Sequence, residues 1–98
     1  MAHYMILFSF TNQGMRKIKQ SPTRVAAAKK TFKKLGANVE AFYAVLGQDF
    51  DTVFLVEAAN DESVTKAALA VSSAGNVRTR TIRLLSEEEF KKTVAALP

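Results

Sequence analysis

Ninety-eight residues suit one hydrophobic core and not two, because independently folding units usually run to about 100 residues each. Hydrophobic side chains make up 48% and charged ones 23%, which excludes a disordered chain or a collagen-like repeat. The absence of cysteine removes disulfides, thiolate nucleophiles, iron–sulfur clusters and zinc–thiolate sites together.

The first residues, His3 to Phe10, are rich in aromatic and branched side chains and too few for a buried helix, so they predict a strand. A polar connection follows over 11–20, with room for a helical turn near Met15 to Ile18. Ser21 and Pro22 read as a helix start, the serine as cap and the proline in the first turn. From there Val25, Ala28, Phe32 and Leu35 share one helical face, and Lys29, Lys30, Lys33 and Lys34 share the other. Gly36 is placed to end this helix in a left-handed conformation.

Asn38–Leu46 and Phe50–Ala58 are two further predicted strands, joined by a tight turn at Gly47-Gln48-Asp49. Asn60 caps a second helix whose first turn carries Asp61 and Glu62 and whose apolar stripe is Val64, Ala67, Ala68 and Val71. Val77–Leu85 is the fourth predicted strand. Ser86 with Glu89 is a capping box, opening a short C-terminal helix with Phe90, Val94 and Leu97 on one side.

The order β-α-β-β-α-β predicts an α+β fold for residues 1–98 as one domain: the ferredoxin-like plan, with a four-stranded antiparallel sheet and an added C-terminal helix. The first and third strands, expected in the middle, are largely apolar on both alternating sets of residues, Tyr4, Ile6, Phe8 and Phe10 against Met5 and Leu7, and Phe50, Phe54 and Val56 against Val53 and Leu55. Two helices cover one sheet face only, so the other face requires a second cover. That requirement predicts a homodimer or higher homo-oligomer.

With these elements placed, the chain resembles the GYD-domain family, small and mostly bacterial proteins within the dimeric α/β-barrel superfamily. The resemblance rests on Phe10-Thr11 with Gly14 and Ile18, then Ser21-Pro22, Arg24 and Leu35-Gly36. It continues through Phe42-Tyr43, Val56-Glu57-Ala58, Asp61-Glu62, Gly75 to Thr79 with Thr81 and Arg83, and Glu89-Phe90. It implies the ferredoxin-like fold and homo-oligomeric assembly, and no assigned activity. The Gly-Tyr-Asp signature is altered to Gly47-Gln48-Asp49-Phe50-Asp51, where Phe50 lacks the hydroxyl a tyrosine would bring.

Candidates for chemistry are sparse. His3, the single histidine, Tyr43 and Asp51 are the residues able to act as acid or base, and Asp49 with Asp51 can present two carboxylates on one turn. Arg78, Thr79 and Thr81 are candidate ligand-binding residues, Arg78 for an anion. One histidine and no cysteine argue against a resident metal, and no glycine-rich phosphate loop is present, so neither metal nor cofactor is expected.

The charge is lopsided: residues 1–39 hold eight bases and no acid, the remainder six bases and nine acids, giving +8 and −3. Acidic residues around Phe50, in place of the basic and glycine pattern of an RNA-binding sheet, argue against specific nucleic-acid recognition. The lysines are expected to form a solvated helix face. The apolar run Tyr4–Phe10 is far shorter than the roughly 20 residues of a membrane helix, and no secretory leader is legible. The sequence therefore predicts a cytoplasmic, cofactor-free, self-associating module able to hold a small molecule between sheets. The alternatives are a cofactor-independent barrel enzyme, monooxygenase- or isomerase-like, and a polyanion-binding module.

Overall fold

A computed structural model describes residues 1–47 and 49–98. Strand β1 (Ala2–Phe10) leads through a short helix α1 (Asn12–Arg16) and a 3-10 turn (Ile18–Gln20) into α2 (Ser21–Lys34). Then come β2 (Ala37–Ala44), β3 (Thr52–Ala58), α3 (Asp61–Ser72), β4 (Val77–Leu84) and α4 (Glu87–Ala95). The strands lie in the order β2-β3-β1-β4, antiparallel throughout. This is the ferredoxin-like arrangement, with α2 and α3 packed on one face.

Alternation along the strands decides which side chains that helical layer buries. Tyr4, Ile6 and Phe8 of β1 and Phe54, Val56 and Ala58 of β3 meet Ala28 and Phe32 of α2 and Val64 and Ala67 of α3. Phe54 is the hub: its ring stands edge-on to Phe8, Phe32 and Phe42, with centroids 4.8, 5.3 and 6.0 Å away. The buried Tyr4 hydroxyl donates to the Asp61 carboxylate at the start of α3. Burial, reinforced by that carboxylate, holds the Tyr4 pKa above its ordinary value.

Local signals set most element ends. Asn60 Oδ1 accepts from the Ser63 amide at 3.0 Å, Ser86 and Glu89 form the reciprocal capping box, and Gly36 takes φ +90° after α2. Two expectations change. Ser21 is not a cap: the preceding 3-10 turn already gives it helical dihedrals, and Gln20 holds the cap position without a side-chain bond. The connection between β2 and β3 spans residues 45–51 rather than a three-residue turn, so Phe50 lies outside β3; Gln48 lies outside the described residues. Backbone pairing carries on for one residue before the strand, with the Asp51 amide donating to the Phe8 carbonyl of β1 at 2.8 Å and the Asp51 carbonyl accepting from the Val45 amide at 2.8 Å.

Gly14 is required by proximity. A Cβ there would stand 2.1 Å from the Asn76 carbonyl oxygen, which also accepts from the Thr11 amide at 3.1 Å. Gly14→Ala is therefore expected to destabilise the fold by about 2 kcal/mol and lower Tm by roughly 10 °C. Thermal melts by circular dichroism check this, and an unchanged melt refutes it.

The Cα trace measures 52 × 30 × 18 Å, the thickness of one sheet and one helical layer. Helix α4 leaves the edge strand β4, tied by the Arg83–Glu89 ion pair at 3.1 Å. Its apolar residues Phe90 and Val94, and Leu97 beyond it, remain 58%, 47% and 66% exposed. Among the described residues no helix is long and apolar enough to cross a membrane.

Candidate functional site

The sheet face turned away from α2 and α3 carries no helical layer. Cross-strand register sets its contents: Met5 faces Leu55 and Ile82, and Leu7 faces Val53 and Arg80. Ala41 and Tyr43 of β2 extend this row opposite Leu55 and Val53. The centre is thus apolar, and the two ends are polar.

At one end, Ser9, Asp49, Phe50, Arg78 and Arg80 surround a hollow of about 590 Å³. Ser9 Oγ donates to the Asp49 carbonyl at 2.9 Å, and the Arg80 guanidinium lies 5.7 Å from the centre of the Phe50 ring. Among the described residues neither Arg78 nor Arg80 has a carboxylate at ion-pair distance. At the other end, His3 sits between Glu40 and Glu57.

A second concavity, about 220 Å³, opens between α2 and α3 and is mainly apolar, with Phe8, Phe10, Ala28, Ala70 and Val71 among its walls. It exists because alanines on the two helices leave the space between them unfilled. Arg24 at its rim is already committed, donating to the Lys17 and Gly14 carbonyls at 2.8 and 3.1 Å. The open sheet face, with two arginines still uncommitted, is the stronger candidate for function.

The candidate residues from the sequence are dispersed. His3 and Asp51 lie at opposite ends of β1, since His3 pairs with Glu57 and Phe8 with Thr52. At about 3.3 Å per residue that separation is roughly 15–20 Å, too far for one acid–base pair. Tyr43 is exposed on β2 and Arg78 sits on β4, at opposite edges of the sheet. Thr79 borders the same hollow as Arg78, although strand alternation sends its side chain, with that of Thr81, to the other face, where Thr79 Oγ1 lies 3.3 Å from Ser72 Oγ of α3. The four lysines of α2 are exposed on its outer face. Arg80, Glu40 and Glu57 are the site residues the sequence reading missed. Arg80 carried a legible signal, being two residues from Arg78 on a strand.

Asp51 is engaged by the backbone: its carboxylate accepts from the Phe10 amide at 2.8 Å. Asp51→Ala leaves that amide without a partner, an expected loss of about 1–3 kcal/mol and a Tm lower by roughly 5–15 °C. Asp51→Asn keeps an acceptor and loses less. Parallel thermal melts of both variants check the ranking, and an alanine variant with wild-type Tm contradicts it. Glu89 is likewise structural; the Ser86 amide and then Arg83 hold its carboxyl below the usual range.

The chain matches the GYD domain family over residues 4–94. It is 31% identical over 86 residues to the glutamine synthetase and cystathionine beta-lyase binding protein of Thermus thermophilus, covering 87% of this chain and 90% of that protein. The fold is similar to that of a feast or famine regulatory protein from M. tuberculosis complexed with L-methionine, with TM-score 0.65 and 20% identity over 88% of this chain and 51% of that one. The chain thus spans about half the length of that regulatory protein. It also resembles 5-chloro-2-hydroxyhydroquinone dehydrochlorinase from Burkholderia phenoliruptrix AC1100, with TM-score 0.58 and 16% identity over 90% of this chain and 97% of that one. At these identities the two solved structures speak to fold alone. The sequence match over nearly the whole chain, together with the full-length relative, carries further: this chain belongs to the GYD domain family.

Proposed function

We propose that this protein is a self-associating binding module of the cytoplasm, whose open sheet face meets the same face of a second copy. The observation that carries this is the apolar centre of that face, Met5, Leu7, Ala41, Leu55 and Ile82, on a sheet with helices on one side only. Soluble monomers rarely leave such a contiguous patch in water. The exposed stripe of α4 adds to the surface a partner would cover.

Between two such sheets, the hollow at Arg78 and Arg80 is suited to a small anionic molecule, with guanidinium groups able to grip a carboxylate or phosphate bidentately. The wide separation of His3 and Asp51 favours binding over a shared acid–base centre. Specific nucleic-acid binding is not part of this reading, because the α2 lysines have no interleaved aromatic platform. Native mass spectrometry of protein purified from its own cells tests it directly. A dimer or larger assembly is expected, with any retained anion released on replacing Arg78 and Arg80 by glutamine; a monomer at micromolar concentration overturns it.

A second reading takes the Thermus relative's printed role as binding protein of two enzymes and makes another protein the partner. In that case the basic outer face of α2 is the surface left free after the sheets pair. Affinity capture with glutamine synthetase from the same cells, repeated with Lys30 and Lys33 changed to glutamate, tests that reading.

A further inference from the structure

We propose that His3, Glu40 and Glu57 form a binding site for a divalent cation, with Zn²⁺ the best match. Three strands contribute. His3 of β1 stands directly across from Glu57 of β3 in the ladder. Glu40 comes from β2 through a bulge: the register runs from Val39 opposite Val56 to Ala41 opposite Leu55, so Glu40 is an extra residue in its strand. Bulges re-aim side chains, and this one accompanies a glutamate that reaches across β3 toward the histidine.

Glu40 Oε1 lies 3.6 Å from His3 Nδ1, and Glu57 Oε2 lies 4.0 Å from His3 Nε2. One ligand atom from each residue falls within 4.8 Å of the other two. In a tetrahedral site with bonds of about 2.0–2.1 Å, neighbouring ligand atoms are roughly 3.3 Å apart. The two carboxylates flank different ring nitrogens and one ion takes only one of these, so closing the site requires the glutamate beside the other nitrogen to swing round toward the ion. The side chains are 39%, 45% and 32% exposed, so an ion reaches them without opening the fold.

The charges also call for a cation. Among the described residues, neither Glu40 nor Glu57 has a lysine or arginine within 4.0 Å. Even in its charged form the imidazole sets one positive charge against two negative ones, whereas a divalent ion balances both. One nitrogen and two carboxylate oxygens suit zinc, while magnesium and calcium prefer all-oxygen shells. Three protein ligands leave a fourth position for water or for a group from a facing molecule. The sequence hid this site because its members are 37 and 17 residues apart in the chain and are joined only by strand pairing.

Isothermal titration of the full chain with zinc chloride is the test, beside Glu40→Gln, Glu57→Gln and His3→Gln. The expected result is one zinc ion per chain with Kd on the order of 1–10 µM. Each substitution should weaken binding by roughly tenfold or more, and zinc should raise Tm in the wild type and in none of the variants. Circular dichroism without metal establishes that each variant is folded. Failure of the wild type to bind below about 1 mM overturns the site. Binding lost in His3→Gln but kept in both glutamate variants places the metal on His3 and the backbone beside it, and also overturns it. Equal binding of magnesium or calcium overturns the assignment to zinc. None of these outcomes depends on self-association, which sedimentation measures separately.

Discussion

Leu55→Glu is expected to turn an oligomer into a monomer of 10.8 kDa while leaving the fold intact. Leu55 lies in the middle of β3, on the open face, between Met5 of β1 and Ala41 of β2. Its side chain is only half-buried, so a carboxylate there stays hydrated in the isolated chain. In a symmetric dimer each substitution counts twice. Because each Leu55 is already partly buried in the single chain, covering the rest of the two side chains is worth about 1–2 kcal/mol, a roughly 5- to 30-fold rise in the dissociation constant, before the larger penalty for burying the two new charges. Sedimentation velocity at micromolar concentration reads the result. Lys30→Glu, on the outer face of α2, serves as control and should leave the assembly unchanged. A wild-type monomer under these conditions refutes the assembly, and an oligomer that survives Leu55→Glu refutes the open face as its interface.

Phe54→Ala should cause the largest loss of folding stability of any substitution considered. The ring is buried and makes edge-on contacts with Phe8, Phe32 and Phe42, which belong to β1, α2 and β2. Its removal leaves a cavity bounded on three sides by rigid elements that cannot collapse into it, a loss of about 3–5 kcal/mol. Against a total stability of roughly 5–15 kcal/mol, the expected fall in Tm is about 15 °C or more. Chemical denaturation with a two-state fit provides the check. A midpoint shift corresponding to less than about 1 kcal/mol would show that the three rings repack around the gap.

The candidate site was legible only in fragments. Arg78 and Arg80 could be placed on one face from their spacing, because the period of a strand is two; the same rule separates Arg78 from Thr79. His3 stood out as the single histidine but had no visible partners. Glu57 becomes its neighbour through β1–β3 pairing, and Glu40 through a bulge that leaves no mark in composition or periodicity. Asp51 read as a candidate acid or turn residue, and its bond to the Phe10 amide depends on a segment 41 residues away. The length of the linker before β3 is hidden from the sequence in the same way, because where a ladder stops depends on how far paired strands stay in register, a long-range property.

By itself the sequence determined the succession of strands and helices, the helix caps at Asn60 and Ser86, the glycine that ends α2, and the two-sided apolar character of β1 and β3. These are local properties, set by dihedral preference, side-chain hydrogen bonding and the alternation of apolar residues. The tertiary structure alone decided that Gly14 must pass against the Asn76 carbonyl, that alanines leave a cleft between α2 and α3, and that one histidine and two glutamates converge on the open face. Each of these depends on the distance between residues far apart in the chain. That distance is fixed by strand register and helix packing, which no short window of sequence contains.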